Sequence, residues 1–148
     1  MEENTHSPVG SLVFLTNRVG RLLAQEIRHQ ASVEEWGVSA EHMGILVDLW
    51  VEEGVRQQDL AISNIKDKGT IARALQNLEA SGIVARLPDE KDKRNKLIYL
   101  TKRGKALRDR LMPQARRTEA EATSGVSEAE LATCQRVLKH IYHQFIKS

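Results

Sequence analysis

The side chains best suited to chemistry lie on one short predicted helix near the middle of the chain. Between Lys68 and Ser81, helical spacing buries one apolar stripe and leaves the opposite stripe facing outward. The outward stripe carries the hydrogen-bonding side chains of Thr70, Arg73, Gln76 and Asn77. In the major groove of DNA, Arg suits guanine, Asn and Gln suit adenine, and Thr can reach a phosphate or a thymine methyl. This face predicts either DNA reading or, since exposed helix faces are generally polar, a protein-interaction surface.

A second candidate group lies on a charged excursion of eight residues, from Pro88 to Asn95. It contains Arg94, and the long planar cation of Arg is attracted into narrow minor grooves, where the negative potential is enhanced. Asp92 can either hold the Arg94 guanidinium or brace Arg86 on the preceding strand. Solubility alone would also produce a charged tip, so this segment becomes specific only in combination with the helix.

The net charge of +2 results from two opposed segments. Residues 34–53 contain six acidic residues and no Lys or Arg, whereas residues 86–105 contain eight basic residues and three acidic ones. Local fields, rather than the total charge, steer a polyanion toward a protein. The near-neutral total therefore does not exclude nucleic acid as a partner.

The elements that position these side chains form a helix-turn-helix followed by a hairpin. Residues 57–65 predict a short helix with Leu60, Ala61 and Ile65 facing inward, and a polar connector leads to the helix 68–81, which stops at Gly82. Two alternating stretches, 83–87 and 96–100, flank the charged excursion as strands. Helix-turn-helix followed by a basic hairpin is the order of a winged helix.

Long helices are predicted on either side of this unit. The first runs from Val9 to Ala31; a second, capped by Ser39, runs to Gly54. After the hairpin, Thr101 caps a helix, and a capping box at Ser127 opens the last one. The last helix carries a heptad seam: Leu131, Cys134, Leu138, Ile141 and Phe145. Two heptads are too short for an independent coiled coil, so the seam must pack on another helix or chain.

Composition indicates one soluble, mainly α-helical domain with a small β-hairpin. The chain has 148 residues, 41% of them hydrophobic and only 4% aromatic. Its one cysteine cannot form an internal disulfide, and no secretory or membrane-spanning segment is evident, so we expect a cytoplasmic protein. Neither a nucleophile elbow, nor a phosphate-binding glycine loop, nor a metal triad is present. We therefore expect neither an enzyme nor a protein with a cofactor or metal.

Several motifs together resemble the MarR family of bacterial transcriptional regulators. The most specific are the stretch Leu-Glu-Ala-Ser-Gly-Ile-Val-Ala-Arg at 78–86, Asp-Lys-Arg at 92–94 and Leu-Thr-Lys-Arg-Gly at 100–104. The resemblance covers nearly the whole chain. It implies a homodimeric winged-helix repressor or activator, here expected to be a ligand-responsive repressor, that places two recognition helices in successive major grooves of a pseudo-palindromic operator. It also implies a domain from residue 8 to 148, with the winged helix at about 39–101 and dimerisation helices at about 8–35 and 102–148.

The resemblance and the residue chemistry together imply two sets of contacts. The expected DNA-binding residues are Lys66, Lys68, Gly69, Thr70, Arg73, Gln76, Asn77, Arg86, Asp92, Arg94 and Lys96. Many members of the family bind small aromatic or amphipathic effectors between the dimerisation helices and the winged helix. By analogy, the residues expected to line such a crevice are Arg18, Arg21, His29, Trp36, His42 and Met43.

Three alternatives bear on this interpretation. The family's peroxide sensors carry a reactive cysteine in the first helix, which has none here, and we expect Cys134 to be buried on the heptad seam and unreactive. The zinc-responsive members take histidines from the helix after the wing, but residues 102–123 contain none; His140 and His143 lack a third ligand nearby. A winged helix that binds proteins instead of DNA remains the alternative function.

Overall fold

Helices and short strands follow one another in the order that the sequence predicts. The computed structural model describes residues 10–146, so the expected limits at residues 8 and 148 and the helix start at Val9 lie outside the described residues. The elements are α1 Leu12–Ala31, α2 Met43–Val51, β1 Val55–Arg56, α3 Gln57–Ser63, α4 Lys68–Ala80, β2 Val84–Pro88, β3 Lys96–Leu100, α5 Lys102–Ala122 and α6 Glu128–Phe145. Two single-turn 3₁₀ helices, Val33–Trp36 and Ala40–His42, connect α1 to α2.

The apolar stripe predicted for α4 is the centre of the core. Ile71, Leu75 and Leu78 are completely buried, and each such burial stabilises the fold by about 1.5–3 kcal/mol relative to an exposed side chain. Their partners in the same cluster come from α2, α3, the strands and α5, and include Ile45, Leu46, Leu49, Leu60, Ile98, Leu107 and Leu111. Packing on several elements fixes which face of α4 remains outside.

The three strands form an antiparallel sheet in the order β1-β3-β2. The hairpin of β2 and β3, with its connecting tip, is called the wing below; Arg86 pairs with Ile98 in its ladder. At its base, the Thr101 hydroxyl donates to the Ile83 carbonyl at 3.1 Å and accepts from the Gly104 backbone N–H at 3.0 Å. A side chain at Gly104 would collide with the Ile83 carbonyl. The first turn of α5 is therefore held directly against the wing.

The terminal helices carry an apolar surface that one chain leaves uncovered. α5 continues through Pro113, and Arg110 Nε donates to the Ala31 carbonyl of α1 at 2.9 Å. The predicted capping box of Ser127 and Glu130 opens α6, in which no residue is buried. The large exposed apolar side chains of α1 and α6 include Leu12, Val13, Leu15, Val19, Leu22, Val137, Leu138, Tyr142 and Phe145. A surface of this kind is typical of a protein-interaction site.

Three expectations are wrong in detail. Ile65 does not face inward but is 74% exposed, because it takes a left-handed conformation (φ +56°) after α3 ends at Ser63. Cys134 is exposed, since no helix within residues 10–146 covers its side of the seam. The second helix ends at Val51 rather than Gly54, and its first predicted turn is a 3₁₀ helix.

Among the helices of residues 10–146, none has the length and apolar character needed to cross a membrane.

Candidate nucleic-acid interface

The start of helix α4 is fixed by a cap that the sequence analysis missed. Asp67 accepts hydrogen bonds from the Thr70 backbone N–H at 2.7 Å and from the Thr70 hydroxyl at 2.9 Å. These bonds, chiefly the one from the backbone, lower the pKa of Asp67 and keep it ionised. An aspartate three residues before a threonine is an N-cap signal that sequence alone contains. The Thr70 hydroxyl hydrogen is thus engaged within the helix, and only the oxygen lone pairs remain for another donor.

The outward face of α4 has the predicted composition. Arg73, Gln76 and Asn77 are exposed, and Thr70 is half-buried beside them. Lys66, Thr70, Arg73 and Asn77 also line a recess of about 160 Å³ together with Glu41 and His42. The structure therefore brings four predicted DNA-binding residues to one side of the helix.

At the wing tip, Asp92 holds Arg94. Its carboxylate accepts from the Arg94 backbone N–H and from Nε, both at 3.1 Å, and from a terminal guanidinium nitrogen at 3.3 Å. The Arg94 side chain is nevertheless 91% exposed. The hydrogen bonds from Arg94 lower the pKa of Asp92. Of the two roles considered for Asp92, the structure selects the one in which it orients the guanidinium.

Arg86 has a different partner. Its Nε donates to Glu79 Oε2 at 2.8 Å, and only 20% of its side chain is exposed. The ion pair ties strand β2 to the last turn of α4, so Arg86 braces the wing against the helix. Its predicted contact with DNA would require this ion pair to open or to be shared.

A basic depression lies between the start of α4 and the wing. Its volume is about 320 Å³, and four of its seven lining side chains are cationic: Arg56, Lys68, Arg94 and Lys96, with Gln57, Gln58 and Asn95 between them. If α4 enters a major groove and the wing enters the adjacent minor groove, the phosphate backbone that separates the grooves passes between these two elements. The depression has the charge and the amide donors to receive phosphates.

Three of these lining residues were missed by the sequence analysis. Arg56, Gln57 and Gln58 precede or begin α3, and their contribution depends on the strand pairing of Val55 and Arg56 with β3. The only local signal is a basic residue next to two glutamines at the start of a short helix. Arg56 is partly engaged by Asp59, with Nε and Oδ2 at 3.2 Å.

The six expected effector residues lie apart from one another in the single chain. Arg18 and Arg21 line a shallow depression on α1, while His29 lines another formed by the end of α1 and residues 32–35. His42 is buried beside α4, and Met43 packs against the core. Trp36 lies under the guanidinium of Arg103, 4.7 Å from ring centroid to Cζ.

His42 has a structural role in addition. Its Nδ1 accepts from the Ser39 backbone N–H at 3.3 Å and so closes the capping box of the second 3₁₀ helix. Burial lowers the pKa of His42, against a smaller opposite effect of the Glu41 charge. Both observations correspond to a neutral imidazole whose hydrogen is on Nε2.

Comparison with known proteins identifies the same winged helix. The MarR family model matches residues 38–96. The uncharacterized HTH-type transcriptional regulator YybA of Bacillus subtilis (strain 168) is 31% identical over 96 residues, which are 65% of this chain and 64% of YybA. The HTH-type transcriptional regulator TtmR of Methylorubrum extorquens (strain PA1) is 37% identical over 67 residues, or 45% of this chain and 34% of TtmR. The matches thus span less than two thirds of either relative.

Solved structures match over more of the chain. A MarR-family regulator from Silicibacter pomeroyi superposes with a TM-score of 0.78 at 27% identity, covering 94% of this chain and 92% of that one. CouR from Rhodococcus jostii RHA1, solved with p-coumaroyl-CoA, gives 0.78 at 26% identity, with 93% and 96% covered. A Listeria monocytogenes protein described as a putative MarR-family regulator, in complex with a 26mer DNA, shares the fold with a TM-score of 0.81 at 23% identity, with 90% and 88% covered.

Proposed function

We propose that the chain is a member of the MarR family and a transcriptional regulator that binds a pseudo-palindromic DNA operator as a homodimer; the match of the family model to residues 38–96 supports this proposal. Its named relatives are transcriptional regulators and not enzymes, in agreement with the absence of catalytic motifs from the sequence. We propose repression, relieved by a small effector, as its mode of action.

One observation carries the proposal: the basic depression lies between the first residue of α4 and the wing. Lys68 from α4 and Arg94 and Lys96 from the wing line the same depression. A major-groove element and a minor-groove element are thereby separated by a strip of cations, which matches the alternation of groove, backbone and groove in B-DNA. A surface that binds only proteins would not require cations between the helix and the wing.

The uncovered apolar faces of α1 and α6 support a homodimer. Leu22 of α1 is 65% exposed and Phe145 of α6 is 83% exposed. Covering such side chains with a second copy removes apolar area from water, at about 25 cal/mol per Å². A twofold axis through these helices would present two copies of α4 to two half-sites. Dimerisation would also cover Cys134.

The effector belongs to the same proposal. CouR is a structural neighbour solved with an aromatic acyl-CoA, an amphipathic ligand. Within one chain the six predicted effector residues lie apart from one another. A second chain packed on α1 would deepen the recesses that Arg18, Arg21 and His29 line. We propose that an aromatic or otherwise amphipathic compound binds where the dimerisation helices meet the winged helix.

Selection of duplexes from a random-sequence library by the purified protein tests the proposed function. We expect enrichment of an inverted repeat whose half-sites lie about one helical turn apart. Fluorescence anisotropy on the enriched duplex should give an affinity that falls steeply with salt, because phosphate contacts release counterions. Enrichment of no sequence, with salt-independent weak binding, would favour the protein-interaction module instead.

A further inference from the structure

Arg103, in the first turn of α5, contacts two other parts of the chain at once. Its Nε donates to the Ser81 carbonyl, the C-cap of α4, at 3.1 Å. A terminal guanidinium nitrogen donates to the Trp36 carbonyl at 3.4 Å, and the guanidinium lies over the Trp36 ring at 4.7 Å. One side chain therefore joins the end of the DNA-facing helix, the segment after α1 and the start of α5.

The two segments that Arg103 contacts are also bound to each other. The Ser81 hydroxyl donates to the Gly37 carbonyl at 3.1 Å. Gly37 has a positive φ of 76°, and a Cβ there would come within 2.6 Å of the Ser81 hydroxyl oxygen. The glycine tolerates this positive φ and leaves room for the Ser81 hydroxyl in its present rotamer. We call Trp36, Gly37, Ser81 and Arg103 the α4 junction.

The chemistry of arginine suits this position. The carbonyls of the last turn of a helix have no partner within the helix and accept from side chains that reach them. A planar guanidinium can donate to two carbonyls in different directions while its face lies on an aromatic ring. Lysine keeps the charge and can stack on the ring, but its ammonium cannot reproduce the planar fork.

We propose that Arg103 is the positioning residue that sets the direction of α4 relative to the helices α1 and α5. Because α5 is one of the proposed dimerisation helices, the α4 junction determines how far apart and at what angle the proposed dimer presents its two α4 helices. Arg103 itself touches no DNA. Its effect is on which half-site spacing the dimer accepts, and the inference rests on the proposed binding to a two-part operator.

The contact of Trp36 with Arg103 also indicates how an effector would alter DNA binding. Trp36 is one of the predicted effector residues, and its ring is one wall of the junction. A flat aromatic ligand that displaced the ring from Arg103 would remove the cation–π contact that helps to hold the guanidinium beside the Ser81 carbonyl. An aromatic effector bound at Trp36 would therefore affect the position of α4 through the Arg103 side chain.

The test compares affinities for a set of duplexes that differ only in half-site spacing. The half-site comes from the library selection, and the centre-to-centre distance is varied one base pair at a time around the best duplex. Wild type, Arg103→Ala and Arg103→Lys are measured by anisotropy, with Lys102→Ala as the matched control from the same exposed turn. Thermal melting and light scattering verify folding and dimerisation.

We expect a sharp optimum for wild type and Lys102→Ala. For Arg103→Ala the optimum should flatten, so that the preference for the best spacing over its neighbours falls by about tenfold, with Arg103→Lys intermediate. A purely stabilising role would instead lower the melting temperature and weaken all spacings by one factor. That outcome, or an unchanged spacing profile, overturns the inference. Lack of any spacing preference in wild type would instead contradict the proposed two-part operator.

Discussion

Asp92 holds Arg94 in place from two sides, through the backbone N–H and through the guanidinium. The side chain thereby has a fixed direction although 91% of it is exposed. A long side chain that is ordered before binding loses less conformational entropy in the complex. The wing tip is thus prepared for a partner that the free chain does not contain.

Loss of the Asp92 contacts should weaken DNA binding even though the Arg94 cation is still present. We expect Asp92→Asn to lower operator affinity by about 0.5–1.5 kcal/mol, the cost of immobilising one flexible side chain, and Arg94→Ala to lower it more. Lys93→Ala, which removes an exposed charge next to Arg94, is the control for general electrostatics. The measurement is anisotropy at physiological salt. Equal effects of Lys93→Ala and Arg94→Ala would contradict the specific role of the wing arginine.

Arg73 should read a base, whereas the lysines near α4 should contact phosphates. We expect Arg73→Ala to cost about 1–3 kcal/mol and to relax discrimination at one base pair of each half-site. Lys68→Ala should weaken all duplexes alike. Measuring each variant against every single-base substitution of the half-site separates the two patterns. Uniform weakening by Arg73→Ala would assign this side chain to the backbone instead.

Neutralising Arg56 and neutralising Asp59, which form an ion pair, should change DNA affinity in opposite directions. Arg56→Gln removes a proposed phosphate contact and should reduce the slope of log affinity against log salt by about one. Asp59→Asn frees Arg56 and removes a negative charge from the basic depression, so affinity should rise. The Arg108–Asp109 pair of α5, also at 3.2 Å, provides the matched controls Arg108→Gln and Asp109→Asn. A fall in affinity for Asp59→Asn would show that Asp59 orients Arg56 rather than masking it.

The heptad seam should be the dimer contact. Leu138 is 42% exposed in one chain, and burying this remaining exposed part contributes about 1 kcal/mol per copy. We expect Leu138→Glu to shift the protein toward monomers in light scattering. Ala132→Glu introduces the same charge on the opposite face of α6 and should leave the dimer intact. If Leu138→Glu forms dimers as stable as those of wild type, the heptad seam is not the dimer contact.

Stability should depend on the protonation of His42. Because burial lowers the pKa of the folded histidine, the unfolded chain binds a proton more readily. The stabilisation is complete above the ordinary pKa of 6.5 and is lost progressively as the pH falls below it. We expect melting temperatures between pH 7.5 and 5.5 to fall more for wild type than for His42→Asn, whose side-chain oxygen can replace Nδ1 as the acceptor for Ser39. Parallel decreases in both proteins would place the pH dependence elsewhere.

Most of the fold was predictable because it depends on local patterns. The stripe of Ile71, Leu75 and Leu78, the cap at Thr101 and the capping box at Ser127 each follow from residue spacing over one or two turns, and the structure confirms them. The outward face of α4 follows from the same periodicity. Ile65 was mispredicted because a single left-handed residue reverses a side chain without altering the apolar pattern around it.

Partners distant in sequence were decided by the tertiary structure. Proximity in sequence suggests an ion pair between Arg86 and Asp92. In the structure, the antiparallel register turns Arg86 toward Glu79, and Asp92 pairs with Arg94. Arg56 becomes part of the basic depression only through strand pairing, and Arg103 meets Trp36 across 67 positions. Periodicity specifies which face of an element is buried. Which side chains then meet depends on how several elements pack together, and no single stretch of sequence contains that information.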